Sequence, residues 1–230
     1  MTAAPAVRAT EAFDILLPTP SRADRDVPRA SRGHFIAHSV LGDGAGVRVQ
    51  AGSLLEYKWQ LVLNMRPETL ELREQVHFSF GGKNERLHIF DIVVTEVSGR
   101  RIAYTVKPEI RLVSGRFLVE MQEVSLWVHR KRFADDVRLL SDSDLDPTEL
   151  HNARVLAAVR EPDPEADARA IAVAGTLTGA RTVRDLADAT EMGARGYRAI
   201  LRLLGSRLLC TYRPERITPD SLVQRGEEFA

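Results

Sequence analysis

The chain predicts an α/β fold followed by a small helical domain, and three patterns in its apolar residues support this class. Residues 53–65 place apolar side chains at helical spacing, and the residues after them alternate between apolar and polar types, as strands do. A second helical pattern over residues 117–132 leads into a short apolar strand and a helix that Pro147 opens. Three short helical patterns after residue 160 indicate the smaller domain.

The composition permits a packed core and gives the molecule no overall charge. Apolar residues make up 44% of the 230 residues, and the 32 basic side chains are balanced by 32 acidic ones. Any contact with nucleic acid must therefore come from a local basic surface. The single cysteine, Cys210, can form neither an internal disulfide nor a thiolate zinc site, which is typical of a reducing cytosol.

No segment of the sequence is suited to a membrane. Crossing a bilayer takes roughly 20 apolar residues, and no stretch of the chain approaches that length. Residues 1–20 mix charged residues with proline and lack the apolar run of a signal peptide. We therefore expect a cytoplasmic protein with no membrane partner.

The chain divides by composition into an arm and two domains. Residues 1–35 carry repeated proline and arginine, which predicts an extended, partly disordered arm; a solvated tail and a DNA-contacting arm both fit this composition. Residues 36–160 hold the α/β pattern. The proline-rich stretch 161–165 is a predicted linker, and residues 161–230 form the smaller domain.

Within the α/β domain, local signals set the predicted boundaries. Ser53 is a suitable helix cap, Pro67 ends the first helix, and Pro108 ends a strand. The glycine-rich stretch 81–84 is a predicted turn. The predicted strands cover residues 70–74, 76–80, 88–96, 101–107 and 137–141.

The smaller domain has the element order of a winged helix. Helical patterns cover residues 166–177, 183–189 and 194–204, and a hairpin is predicted from residues 207–212 and 216–218. Arg195, Arg198 and Arg202 fall on one stripe of the third helix, which suits DNA binding. The solvated face of a small helical domain explains the same stripe equally well.

Three residues are candidates for an active site: Glu56 on the first helix, Asp91 inside an apolar strand, and Lys107 at the end of the next strand. A carboxylate among Phe90 and Ile92 is costly unless something pairs with it. A hairpin brings Asp91 and Lys107 side by side, and Mg²⁺ prefers carboxylate oxygens, water and phosphate. The trio therefore favours metal-assisted phosphodiester hydrolysis, with an ordinary ion pair as the simpler alternative.

The ordered set of motifs resembles the TnsA family of transposon-end endonucleases, a branch of the PD-(D/E)xK nucleases. The resemblance covers about residues 25–156 and rests on the order of the motifs rather than on any single one. Ser53-Leu54-Leu55-Glu56 is similar to the family's helical Ser-Leu-Leu-Glu segment. The remaining matches are residues 27–33, which resemble the family's Arg/Pro-rich lead-in, Glu74-Gln75-Val76, Phe90-Asp91-Ile92, Thr105-Val106-Lys107 and residues 137–145.

The resemblance implies a restriction-endonuclease-like fold, with a mixed central sheet flanked by helices, and a metal-dependent DNA endonuclease. It implies that Mg²⁺ (or Mn²⁺) is held by Glu56, Asp91 and the backbone carbonyl of Val106, while Lys107 positions water and Gln75 neighbours the site. The implied partners are double-stranded DNA, a DDE-type transposase subunit and a TnsC-like ATPase. In the family the carboxy-terminal region often contacts that ATPase.

The sequence departs from the family pattern at three positions. Thr105 stands where the family has Glu or Gln, Val76 replaces a proline, and Phe90 replaces the proline before Asp91. A threonine hydroxyl is a poorer metal or water partner than a carboxylate. The alternatives are therefore a degenerate nuclease fold that holds DNA or a protein partner without cutting, and a transcription regulator that acts through residues 161–230.

Overall fold

A computed structural model describes residues 17–27 and 35–229, so most of the predicted arm lies outside the described residues. The predicted α/β class is confirmed, with six helices and a mixed four-stranded sheet in the described part of the chain. None of the helices in these two ranges is long and apolar enough to cross a membrane.

The first helix, α1 (Leu54–Met65), begins and ends where the sequence predicts. The Ser53 hydroxyl accepts the backbone N–H of Glu56 at 3.1 Å, which satisfies one of the free donors of the first turn. The chain leaves the helix at Arg66, whose extended backbone precedes Pro67. Its buried face includes Trp59, and this face carries the helix against the sheet.

The central sheet has the strand order β3-β4-β5-β6. Neighbouring strands are antiparallel except β5 and β6, which are parallel and are connected by helix α2 (Arg116–Lys131). The strands are β3 (Thr69–Phe80), β4 (Arg86–Glu96), β5 (Arg101–Val106) and β6 (Asp136–Leu140). The sheet is therefore mixed, as expected.

A separate hairpin, which was not predicted from the sequence, precedes α1. It joins β1 (Ala37–Leu41) to β2 (Val47–Ala51) in antiparallel register. Gly46, in the turn, has a φ of 72°, and a Cβ there would lie 2.8 Å from the Leu41 carbonyl oxygen. Only glycine fits at this position of the turn.

Helices cover both faces of the sheet. Helix α1 and helix α3 (Pro147–Ala157) pack on one face, and α2 packs on the other. The first face buries, among others, Trp59, Val62, Ile92, Tyr104 and Leu150. The second buries Phe78, Phe90, Ala103, Val124 and Val128. Two apolar layers thus hold the sheet between them.

At one point of the β3–β4 pair, the regular alternation of side chains between the two faces of the sheet is interrupted. Leu72 lies on the α1 face, whereas Val76 lies on the α2 face, although both are even-numbered. Gln75, between them, has a φ of 50°, a left-handed conformation that is uncommon for a side chain of this size. The prediction of two strands here is therefore wrong: one strand runs from Thr69 to Phe80 and kinks at Gln75.

On β4 the same interruption occurs around Asp91. Phe90 lies on the α2 face and Ile92 on the α1 face. Glu74 pairs with Ile92 and Val76 with Phe90, so Gln75 lies across from Asp91. Both kinks thus fall at one level of the sheet, beside the first turn of α1.

The carboxy-terminal part builds a second apolar cluster, from Val159 to Val223, under helices α4 (Pro164–Gly175), α5 (Val183–Ala189) and α6 (Ala194–Gly205). A three-stranded sheet with the order β7-β9-β8 closes it. Its strands are β7 (Arg181–Thr182), β8 (Leu209–Thr211) and β9 (Leu222–Arg225).

The predicted hairpin partner at residues 216–218 is wrong, because the second strand of the hairpin is β9. The backbone of Ile217 is occupied elsewhere: its N–H donates to the Asn152 side chain at 2.8 Å, and its carbonyl bonds His151 at 3.1 Å. Both partners belong to α3, so the loop between β8 and β9 joins the two parts of the chain. The predicted boundary near residue 160 stays a prediction, since Val155 and Leu156 of α3 also pack on the second cluster.

Candidate active site

Glu56 is held at the amino-terminal end of α1 by three hydrogen bonds to its carboxylate. Gly52 donates its backbone N–H to Oε2 at 2.9 Å, and the Ser53 hydroxyl donates to Oε1 at 2.8 Å. Gln75 donates its side-chain amide to Oε2 at 3.4 Å. The spacing from Ser53 to Glu56 is that of a capping box, so this carboxylate has a structural role whatever else it does.

Asp91 lies where β4 and β5 separate. The two strands pair from Thr95 and Arg101 as far as Ile92 and Tyr104, and the next backbone donor on β5 goes to a side chain instead. The Val106 N–H donates to Oδ2 of Asp91 at 2.7 Å. The carboxylate therefore accepts the hydrogen bond that a backbone carbonyl of β4 would accept in a regular sheet. Asp91 is buried, with only 8% of the residue exposed.

The Val106 carbonyl faces the same opening. In a strand, the N–H and C=O of one residue point to the same side, and the Val106 N–H points to Asp91. The backbone N–H of Lys107 points the other way, to the Leu140 carbonyl of β6 at 2.9 Å. Asp91 and the Val106 carbonyl thus present oxygen atoms to one gap.

The negative charges of Glu56 and Asp91 repel each other, so ionising Asp91 is unfavourable in the absence of a cation. Burial, and then the negative charge of Glu56, raise the pKa of Asp91 to about 6. The Val106 N–H and the positive charges of Lys107 and Arg25 act in the opposite direction. The four ionisable groups Glu56, Asp91, Lys107 and Arg25 therefore share one electrostatic site, with Asp91 at its centre.

Lys107 sits beside the gap without a direct ion pair. No ion pair between described residues involves it, and its Nζ lies 5.5 Å from the centroid of the Phe117 ring. Thr105, two residues earlier, is only 1% exposed, and its hydroxyl lies 3.2 Å from Nε2 of His88. Burial, and then Lys107, lower the pKa of His88 to about 4, so this imidazole is neutral at neutral pH.

The donor set suits a hard divalent cation. Two carboxylates and a carbonyl supply only oxygen atoms, and Mg²⁺ is commonly bound by one or two carboxylates together with water and phosphate. A cation would also relieve the repulsion that raises the pKa of Asp91. Within residues 17–27 and 35–229, no group of three or more His, Cys, Asp or Glu side chains is placed to hold a metal.

Two residues of this site were not among those predicted from the sequence. Arg25 lies in the predicted arm, and its Nε donates to Oε1 of Gln75 at 2.9 Å. His88 is on β4, three residues before Asp91. Repeated arginines in the arm were the only signal for the first. Regular alternation puts His88 and Asp91, three residues apart, on opposite faces of β4, so the pattern gave no signal for the second.

The arginine stripe of α6 is largely neutralised inside the protein. Arg195 binds both carboxylate oxygens of Asp163 at 2.8 Å, and this contact lowers the pKa of Asp163 to about 2. Arg202 donates to Asp167 at 2.7 Å. Arg198 remains exposed. DNA binding by the stripe stays a prediction, and two of its three side chains already have carboxylate partners on or next to α4.

A comparison with models of known protein families gives no match, and a comparison with curated proteins gives none.

Proposed function

We propose that the protein is a Mg²⁺-dependent DNA endonuclease of the restriction-endonuclease-like type, cutting transposon ends as a subunit of a heteromeric transposase. One observation carries the chemistry: the buried Asp91 carboxylate lies at the point where β4 and β5 separate, with Glu56 and Lys107 in electrostatic range. The mixed sheet between α1 and α2 agrees with the fold that the TnsA resemblance implies. Transposition itself rests on that resemblance alone.

The residues have distinct tasks in hydrolysis. A bound Mg²⁺ would supply positive charge to the phosphate oxygens and lower the pKa of an attacking water. Glu56, Asp91 and the Val106 carbonyl would hold the ion, and the Lys107 ammonium would orient the water and attract the phosphate. The water oxygen bonds to phosphorus as one phosphorus–oxygen ester bond breaks, and the departing oxygen gains a proton, leaving a phosphomonoester and a hydroxyl.

The carboxy-terminal part supports a second element of the proposal. Its order of helix, strand, two helices and hairpin, with β9 between β7 and β8, is that of a winged helix. We assign it to partner binding: the DDE-type transposase subunit or the TnsC-like ATPase is a better match than DNA, because Arg195 and Arg202 are neutralised internally. A cytoplasmic location follows from a function on DNA.

A second candidate function, DNA or partner binding without cleavage, is favoured by the surroundings of Thr105. Its hydroxyl is buried against His88 rather than free to meet water or metal. The gap then has two carboxylates, and the side chain at the family's Glu or Gln position contacts His88 instead. Such a protein would keep the fold and the partners and lose the chemistry.

Metal titration separates the two functions. Mg²⁺ and Mn²⁺ binding is measured by calorimetry, with and without duplex DNA, for the wild type, Asp91→Asn and Asp136→Asn. The first variant keeps a side-chain oxygen for the Val106 N–H while removing the charge, and the second makes the same change at the opposite end of the sheet. We expect binding by the wild type and Asp136→Asn, and a loss of at least tenfold in affinity for Asp91→Asn.

A nicking assay on supercoiled DNA, run with the partner transposase present, then measures cleavage. Metal-dependent nicking that Asp91→Asn abolishes supports the endonuclease. If the wild type binds neither ion, even with duplex present, the endonuclease proposal is wrong and the binding function replaces it.

A further inference from the structure

The segment from Thr19 to Val27 runs along β3, and the β1–β2 hairpin binds it at both of its ends. Thr19 exchanges two backbone hydrogen bonds with the β1–β2 hairpin, through Gly46 and Arg48. At the other end, the Val27 N–H donates to the Gln50 side chain at 3.0 Å. We call residues 19–27 the strap.

Between these ends the strap follows β3 residue by residue. The Ser21 hydroxyl donates to the buried carboxylate of Glu74, and the Asp24 N–H donates to the Gln75 carbonyl at 3.2 Å. The carboxylate of Asp24 accepts the His77 N–H at 2.8 Å. These bonds fix the register of the strap, so Arg25 meets Gln75 at the kink of β3.

Gln75 connects Arg25 to the candidate active site. Its Oε1 accepts from Nε of Arg25 at 2.9 Å, and its amide nitrogen donates to Glu56 at 3.4 Å. Gln75 is only 2% exposed, so this amide cannot turn toward solvent. A side chain with both an acceptor and a donor is needed for this bridge, and an amide supplies both.

The outer half of the Arg25 guanidinium is left open. Arg25 is exposed, and in the described part of the chain its two terminal nitrogens have no hydrogen-bond partner. Its charge nevertheless reaches Asp91. A guanidinium that is held at Nε and whose two terminal groups are free can bind two oxygens of a phosphate.

We infer that Arg25 contacts a phosphate of the nucleic-acid backbone next to the bond that the proposed site would cut. The inference rests on the proposed function for the identity of the ligand. Glu56 and Asp91 repel a phosphate, and Lys107 offsets only one of their two charges. With Arg25, the net charge of the four side chains is zero. Its two terminal nitrogens also supply hydrogen-bond donors for the phosphate, so the strap acts as part of the substrate-binding surface.

The strap supplies its own control. Arg22 is three residues away on the same segment, and its guanidinium is paired with Glu71. Arg22→Ala therefore removes an equal charge from the strap without touching Gln75. Arg25→Lys keeps the charge but loses both the bond to Gln75 and the two-pronged geometry, and Gln75→Ala leaves Arg25 in place without its support.

The experiment measures the binding of a fluorescein-labelled duplex by anisotropy at several salt concentrations, without divalent metal. For Arg25→Ala we expect affinity to fall about tenfold and the salt slope to fall by about one unit, the effect of one lost phosphate contact. Arg25→Lys should keep the slope and lose part of the affinity. Arg22→Ala should resemble the wild type, and thermal melts of all variants establish that they fold.

The outcomes separate this inference from the proposed nuclease. Equal affinities for Arg25→Ala and Arg22→Ala overturn the role of Arg25, even if the wild type cuts DNA. A selective loss in Arg25→Ala supports it, even if neither protein cuts. If the wild type does not bind duplex at all, the inference is wrong. Should Arg25→Ala fail to fold, a wild-type affinity in both Arg25→Lys and Gln75→Ala overturns the inference instead.

Discussion

The Asp91 carboxyl titrates unusually because its neighbours are a nonpolar strand and a second carboxylate. Its pKa in the folded, metal-free protein is about 6, above the value of about 4 expected for an unfolded chain. The stability that this raised pKa gives the folded protein is therefore complete below about pH 4, and it is lost as the pH rises through 6. At neutral pH the ionised group destabilises the fold unless a cation is bound.

This sign gives a testable pH dependence. In EDTA, the free energy of unfolding of Asp91→Asn, relative to the wild type, should rise by about 2 kcal/mol between pH 4 and pH 7.5, because the amide cannot ionise. Urea denaturation at the two pH values measures it. Mg²⁺ added at pH 7.5 should stabilise the wild type and leave the variant unchanged.

Asp142 provides a control of opposite sign. The Glu109 N–H holds the pKa of its carboxyl below the usual range, so its stabilising effect is lost as the pH falls. Asp142→Asn should therefore weaken the protein most near neutral pH. Parallel pH profiles for the two variants would contradict the burial of Asp91 as the cause.

At the residue scale, the sequence predicts the site only where its signals are local. Asp91 draws attention because it interrupts an apolar strand, and Glu56 because it follows a capping serine by three residues. The register of the strap, in contrast, depends on Glu74, Gln75 and His77, about 50 residues further along the chain. No local pattern in residues 19–27 carries that pairing, so Arg25 could not be assigned to the site.

At the scale of the element, the first turn of α1 has two functions to separate. Ser53 and Glu56 cap the helix, and the charge of Glu56 also raises the pKa of Asp91. Ser53→Ala should cost about 1 kcal/mol of stability, whether or not metal is present, because a free N–H loses its acceptor. Chemical denaturation with EDTA and with Mg²⁺ measures both conditions.

Glu56→Gln is the matched variant. Its amide oxygen still accepts the Gly52 N–H, so stability in EDTA should change by less than about 1 kcal/mol. The stabilisation that Mg²⁺ gives the wild type should disappear. If Glu56→Gln loses stability in EDTA as Ser53→Ala does, yet keeps the Mg²⁺ effect, then Glu56 is a cap and not a ligand.

Element types followed from periodicity, but the kink in β3 did not. The apolar alternation of residues 70–80 is interrupted at Glu74, and such an interruption predicts a turn between two strands as readily as a kink within one. The register with β4 is the same before and after this point, so β3 is one strand with a kink. Similarly, Arg216-Ile217-Thr218 alternates as a strand would, but hydrogen bonds from α3 occupy its backbone.

At the scale of the whole molecule, Asn152 joins the two parts of the chain. Its amide donates to the Glu215 carbonyl at 2.9 Å and accepts the Ile217 N–H at 2.8 Å. Asn152→Ala leaves both backbone groups without a partner, so we expect a loss of about 1–3 kcal/mol. Hydrogen exchange should accelerate at Ile217, whereas the core of β4 should exchange at its original rate.

A uniform acceleration throughout the protein would instead show that the two parts unfold as one unit. Arg154→Ala is the control, since Arg154 is exposed on the same helix. The order of the helices here could be predicted from the sequence, because apolar spacing is a local signal. It could not give the contact of α3 with the β8–β9 loop, which joins residues more than 60 positions apart.

The strap also protects the sheet from other copies of the protein. Strand β3 is the outer strand of the four-stranded sheet, and its Gln75 carbonyl and His77 N–H are satisfied by Asp24. A chain lacking residues 17–27 would present these groups bare along an open edge, where extended segments add most readily. The segment that carries Arg25 would then be as important for keeping the protein from aggregating as for binding a substrate.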